Sequence, residues 1–121
     1  MKYLMAVLCV LVLMAVPAFA QGPVPNPTRA EFKVSPDHAT IDSYELAMFD
    51  VADVLIATLL IGKPTPDAGN IAAVTINVQP IKFGLYTARI RAKAGAVYSE
   101  WSDPSNQWVR EPGRPSNVVI K

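Results

Sequence analysis

Residues 85–93, LYTARIRAK, alternate between apolar and polar side chains after Leu85. One face carries Tyr86, Ala88, Ile90 and Ala92, and the other carries Thr87, Arg89, Arg91 and Lys93. Successive side chains of a strand point to opposite faces of a sheet, so this pattern predicts a half-buried strand.

Shorter segments on both sides repeat this pattern. Turns rich in proline, glycine and aspartate separate them, and residues 62–70 (GKPTPDAGN) form the longest of these turns. The predicted strands span residues 29–34, 43–48, 74–78, 85–93, 97–101 and 105–109. Short strands at about ten-residue spacing are typical of an all-β fold, and we predict an antiparallel two-sheet sandwich of about seven strands.

Residues 45–61 (ELAMFDVADVLIATLLI) are compatible with two structures. Glutamate, leucine, alanine and methionine favour a helix in the first half, whereas β-branched residues favour a strand in the second half. The polar positions are Glu45, Asp50, Asp53 and Thr58, which define no wide solvent face. We predict two strands joined by a turn at the two aspartates, with a helix as the alternative.

The N-terminus has the pattern of an export signal. Lys2 precedes an apolar core at residues 4–16, Pro17 ends this core, and residues 18–20 (AFA) have the small-x-small pattern of a cleavage site. The core is shorter than the about 20 residues that a membrane span needs. We therefore predict a signal peptide over residues 1–20, with a retained N-terminal anchor as the alternative.

Cleavage after residue 20 would remove Cys9, the only cysteine. Proline blocks the Asn-x-Thr sequence at residues 26–28, so the chain has no acceptor for N-glycosylation. An exported chain without disulfides or glycosylation fits a bacterial periplasmic or extracellular protein. We expect no membrane association after cleavage.

The charge balance argues against a nucleic-acid partner. The chain has 11 basic and 10 acidic residues and a formal charge of +1, and loss of Lys2 leaves ten of each. Electrostatically driven nucleic-acid binders need a basic excess or a basic cluster, and this sequence has neither.

Two segments resemble the last strands of a fibronectin type III domain. They are residues 83–92 (FGLYTARIRA) and 98–104 (YSEWSDP), and residues 35–46 resemble an earlier turn and strand of that family. The resemblance covers about residues 29–110. It implies that Tyr86 forms a tyrosine corner, in which the hydroxyl bonds to upstream backbone.

Residues 98–102 also look like the Trp-Ser-x-Trp-Ser box of cytokine-receptor domains with this fold. The matching residues are Tyr98, Ser99, Trp101 and Ser102, with tyrosine in place of the first tryptophan. The resemblance implies that Arg89 and Arg91 interleave with the aromatic rings. The chain lacks that family's characteristic cysteines after cleavage, so we interpret the box as a structural motif.

The predicted organisation has four parts. They are a signal peptide (1–20), a Pro-rich linker (21–28), a fibronectin type III-like domain (29–111) and a C-terminal segment (112–121). The family's first strand should precede residue 29, but the linker has almost no apolar alternation. The C-terminal segment is either a tail or a strand that folds back to cover the edge beside residues 29–34.

The sequence predicts no catalytic, cofactor or metal site. His38 is the only histidine, and no nucleophile, phosphate-binding or zinc motif is present. The aspartates lack the spacing of a calcium loop. We therefore expect a protein that is not an enzyme and has no cofactor.

The function predicted best is an exported, non-catalytic module for protein–protein interaction or adhesion. The uncharged run at residues 54–61 lies at or near a predicted sheet edge. We expect both of its faces to be covered, and the alternative is an edge that pairs with a second copy or with another protein. The alternative is a carbohydrate-binding module that stacks surface aromatic rings on sugars, and a small secreted enzyme has the least support. The candidate interaction residues are Val54, Ile56, Thr58, Leu60, Trp101 and Trp108.

Overall fold

The computed structural model describes residues 22–121, whose regular structure is β-strand and one 3-10 turn with no α-helix. The strands are β1 (Val24–Pro25), β2 (Arg29–Lys33), β3 (Ser43–Phe49), β4 (Leu55–Gly62), β5 (Ile71–Thr75), β6 (Gly84–Ala94), β7 (Val97–Tyr98) and β8 (Trp108–Arg110). The all-β prediction is confirmed for this part of the chain. The predicted signal peptide lies outside the described residues.

The strands form two sheets. Six belong to one sheet with the order β1-β8-β6-β3-β4, in which β7 pairs with β6, and β2 and β5 form a second, antiparallel sheet. The prediction of purely antiparallel pairing is wrong at one place, because β1 lies parallel to β8. The larger sheet is therefore mixed.

The ambiguous residues 45–61 form two strands. Asp50 follows β3, and its Oδ1 accepts hydrogen bonds from the backbone amides of Ala52 (2.9 Å) and Val54 (3.0 Å). Asp53 adopts a left-handed conformation with φ of 61°. Aspartate side chains that bond to nearby backbone compete with helix formation, so this turn decides between the two structures.

Apolar side chains of both sheets meet in the core. Leu46 and Met48 of β3 and Tyr86 of β6 are buried, and Ala30 of β2 and Val74 of β5 pack against the same cluster. A second cluster continues along the strands with Val34, Ile41, Tyr44, Ala72 and Ala92. The alternation that predicted β6 and β3 thus corresponds to their core-facing sides.

The segment interpreted as a linker is part of the larger sheet. The amide of Val24 donates to the carbonyl of Gln107 (3.1 Å), and the amide of Asn26 donates to that of Val109 (2.9 Å). The side-chain oxygen of Asn26 accepts a hydrogen bond from the amide of Glu111 (3.0 Å). A two-residue strand fixed by backbone and amide groups needs no apolar alternation, so the sequence pattern could not show it.

Three predicted strands have different bounds in the structure. The strand predicted at residues 74–78 is β5, which begins three residues earlier and ends at Thr75. The strand predicted at 97–101 is reduced to β7, and the one at 105–109 is displaced to β8. Between β7 and β8, residues 99–105 are held beside β6 by hydrogen bonds from three serines, which are described below.

The C-terminal segment forms no strand. Val118, Val119 and Ile120 have exposed fractions of 80%, 70% and 90%. Within residues 22–121, β2 pairs only with β5, so residues 112–121 do not cover its second edge in this structure.

Candidate functional site

Three serines at a spacing of three residues tie residues 99–105 to the edge of β6. Each serine donates its backbone amide to a carbonyl of β6, and its hydroxyl oxygen accepts a hydrogen bond from the amide of that same β6 residue. All six hydrogen bonds measure 2.8–3.0 Å, and the pairs are Ser99 with Ala92, Ser102 with Ile90, and Ser105 with Ala88.

This serine ladder sets the positions of the aromatic rings. The bonded residues are spaced by three along the segment and by two along β6, so successive serines bond to successive β6 residues that share one face of the sheet. Tyr98 and Trp101 each precede a ladder serine and therefore recur beside the polar face of the strand.

Arg91 lies between the two rings. Its guanidinium carbon is 4.0 Å from the ring centre of Tyr98 and 4.4 Å from that of Trp101. Its Nε and Nη2 both donate to Oε2 of Glu45, at 2.9 Å each. Glu45 is only 8% exposed, so Arg91 neutralises a carboxylate that has lost most of its hydration.

Other cations extend this stack in both directions. Arg89 lies over the ring of Phe49 at 5.5 Å, and Phe49 meets Trp101 edge-on at 5.8 Å. Lys93 lies over the other end, 5.7 Å from the ring centre of Tyr98. The alternation of cations and rings forms a continuous cover on the outer face of the sheet.

Trp108 does not lie on this outer face. It is 4% exposed and packs in the core against Tyr86, with a ring-centre distance of 4.8 Å. Trp108 is therefore not an exposed ring on this outer face, where the interpretation as a surface aromatic would place it. Trp101 is half-buried and Arg91 covers one of its faces, which leaves little of it for stacking on a sugar.

Tyr86 makes the contact that the resemblance implies. Its hydroxyl donates to the carbonyl of Lys82 at 2.8 Å while its ring is buried. This hydrogen bond fixes the chain at the start of β6, from which the arginines and the serine ladder follow.

The predicted edge residues lie on β4, which is the last strand of the larger sheet. The side chains of Ala57, Leu59 and Ile61 turn toward the core cluster, and those of Ile56, Thr58 and Leu60 alternate with them. Ile56 is 41% exposed and Leu60 is 81% exposed. Val54, just before the strand, is 52% exposed, so the four candidate residues form one uncharged exposed border.

The sequence analysis missed Glu45 and Phe49 as parts of this face. It named Glu45 only as one of the polar positions of residues 45–61, whereas β3 and β6 place it directly opposite Arg91. No local pattern reveals such a pair, because it depends on the register between the two strands. Ser105 was also missed, although the spacing of three that it shares with Ser99 and Ser102 is visible in the sequence.

The titratable side chains of the turns have structural partners. Nδ1 of His38 lies 2.8 Å from the hydroxyl oxygen of Tyr44, and Oδ1 of Asp67 accepts from the amides of Gly69 and Ile71. Residues 22–121 contain no group of three or more side chains that could hold a metal ion. In the same part of the chain, no helix has the length and apolarity to cross a membrane.

Comparison with known protein families, curated proteins and solved structures gave no match for this chain.

Proposed function

We propose that this chain is an exported, non-catalytic interaction module with a fibronectin type III-like sandwich fold, whose β4 edge pairs with β4 of a second copy. The uncharged, exposed border of β4 is the observation that carries the proposal. The partner adds a strand to the sheet through backbone hydrogen bonds, and side chains of the border give the contact its specificity.

The arrangement of the strands supports the proposed fold. A sheet of two strands and a larger sheet contribute to one core, and Tyr86 bonds to backbone upstream of its own strand. The interleaving of Arg91 with Tyr98 and Trp101 adds a third feature of the resemblance. Together these features concern residues 29–110, the range over which the sequence resembles the family.

The properties of β4 support pairing at its edge. Among residues 22–121, β4 pairs only with β3, so one row of its backbone amides and carbonyls has no strand beside it. Natural proteins protect such edges with lysine, proline or a short strand, but β4 has eight residues and contains neither of these residues. Two copies related by a two-fold axis would bring identical uncharged borders together without repulsion between like charges.

The oligomeric state tests this proposal. We expect the wild-type protein to form a dimer in light scattering coupled to size exclusion, and Leu60→Lys to be a folded monomer. Leu60 is 81% exposed, so the substitution should change the free energy of unfolding by about 0.5 kcal/mol or less. Val51→Lys is the matched control, because Val51 is 78% exposed but lies in the turn before β4.

A wild-type protein that stays monomeric at all accessible concentrations would contradict pairing at β4. A dimer that survives Leu60→Lys would place the contact elsewhere on the molecule. The mass of the intact exported protein tests the predicted processing separately, since cleavage after residue 20 fixes a single expected value.

A further inference from the structure

A groove of about 780 Å³ opens between β2 and residues 102–106. Its lining includes Ala30, Met48, Ile90 and Trp108, so apolar core side chains form much of its surface. All five residues of β2 line the groove, and the strand has its only described neighbour, β5, in the second sheet. The groove is therefore bordered by a strand whose second edge has no partner strand within residues 22–121.

One buried hydrogen-bond donor among the residues of this lining, Nε1 of Trp108, lacks an acceptor among the described residues. A buried donor without an acceptor costs free energy, so a ligand that offers acceptors has an advantage here. An extended peptide offers a carbonyl oxygen at every residue, together with the amides that an unpaired strand edge needs.

The C-terminal segment has the complementary properties. Val118, Val119 and Ile120 are β-branched, consecutive and at least 70% exposed. Residues 111–121 contain no turn and no strand, and Pro112 and Pro115 fix the backbone angle φ at their own positions. Asn117 adopts a left-handed conformation with φ of 60°, so docking as a strand requires this residue to become extended. The segment follows β8 beside Asn26, whose side chain bonds to the backbone of Glu111.

We propose that residues 115–121 of one copy lie as an added strand beside β2 of a second copy and fill this groove. Seven extended residues span about 23 Å, whereas the five residues of β2 span about 17 Å, so the segment is long enough. Alternate side chains of the Val-Val-Ile sequence enter the groove, and backbone carbonyls become available to Trp108. The contact is head-to-tail, so each copy can donate one segment and accept another.

The groove is separate from the β4 edge, and the experiment tests docking in the groove independently of pairing at β4. Every protein in it carries Leu60→Lys, which removes the proposed β4 contact, and Cys9→Ser, which leaves introduced cysteines as the only thiols. One protein then carries Glu31→Cys on β2, and the other carries Val118→Cys or Val119→Cys. Two neighbouring tail positions are used because only one of them shares the sheet face of residue 31.

We expect a disulfide between the two different chains to form at least about tenfold faster than in the matched control, since docking raises the local thiol concentration. In the control, Val51→Cys replaces Glu31→Cys as an exposed thiol distant from the groove. Equal rates in the two mixtures would overturn the proposal. A single chain that carries both Glu31→Cys and the tail cysteine tests whether the groove is filled by the tail of the same chain or by the tail of a second copy.

That double variant should form disulfide-linked oligomers whose share rises with protein concentration. Closure within a single chain, independent of concentration, would show that the tail folds back and would overturn docking between copies. As a second measurement, at protein concentrations above those at which the Leu60→Lys protein is a monomer, its mass in light scattering should rise with concentration. The mass should stay at one chain when Val119→Asp is added, and an unchanged rise would contradict the role of the tail.

Discussion

Replacement of Arg91 by methionine is the most direct test of what holds the outer face together. Methionine keeps the apolar stem of the side chain but removes the guanidinium that contacts Tyr98, Trp101 and Glu45. The carboxylate of Glu45 then remains 8% exposed without its cation.

The expected magnitude follows from these contacts. Each of the two cation–π contacts contributes about 0.5–1 kcal/mol at a partly exposed site. Removal of one partner of a fully buried ion pair costs about 3–5 kcal/mol, but the Arg91 side chain is 28% exposed, so water compensates part of this loss. We expect Arg91→Met to lower the free energy of unfolding by about 3 kcal/mol, a large share of the stability of a domain of this size.

Urea unfolding followed by tryptophan fluorescence measures this change. Arg89→Met is the matched control, because Arg89 lies two residues away on the same face. Its Nη2 is 3.5 Å from Oδ1 of Asp53, a side chain that is 71% exposed. Screening by solvent makes such a pair weak, so the control should cost about 1 kcal/mol or less.

A double-mutant cycle with Glu45→Gln separates the ion pair from the aromatic contacts. The two substitutions share one interaction, so their effects should be non-additive by about 2 kcal/mol, with the double variant more stable than the sum predicts. Equal losses for Arg91→Met and Arg89→Met, or additive effects in the cycle, would refute the assignment of Arg91 as the central contact.

Three further substitutions test the elements that position this face, each by the same unfolding measurement. Tyr86→Phe removes the hydrogen bond to the carbonyl of Lys82 and should cost about 1 kcal/mol, and an unchanged midpoint would mean that water replaces the hydroxyl. Ser102→Ala leaves the amide of Ile90 without its side-chain acceptor and should cost about 1–2 kcal/mol, and a smaller loss would contradict the serine ladder as a stabilising element. Asp50→Ala removes the acceptor for two turn amides at an exposed site and should cost about 1 kcal/mol, and a stable variant with unchanged midpoint would show that the strands alone define the turn.

Local patterns in the sequence were sufficient to predict the main strands. The alternation in residues 85–93 matches the two faces of β6, and Asp50 marks the turn that separates β3 from β4 despite a composition that favours helix. The uncharged run at residues 54–61, which includes most of β4, is also visible in the sequence. These features depend on residues that are close together in the chain.

Contacts between distant residues were decided only by the tertiary structure. The sequence could not show that Trp101 lies on the outer face and Trp108 in the core. The segment that carries Trp101 is positioned by serine hydrogen bonds to β6, a strand that is not a local neighbour in the sequence pattern. The sequence also could not pair Glu45 with Arg91, since that pair depends on the register of two strands 46 positions apart.

The two ends of the described chain also separate what local sequence determines from what tertiary contacts decide. Residues 24 and 25 carry no strand pattern, yet they join β8 through backbone hydrogen bonds and through the side chain of Asn26. The Val-Val-Ile sequence near the C-terminus has strong strand propensity but forms no strand here. Local propensity therefore determined which segments favour extended structure, and only the available backbone partners decided which of them became strands.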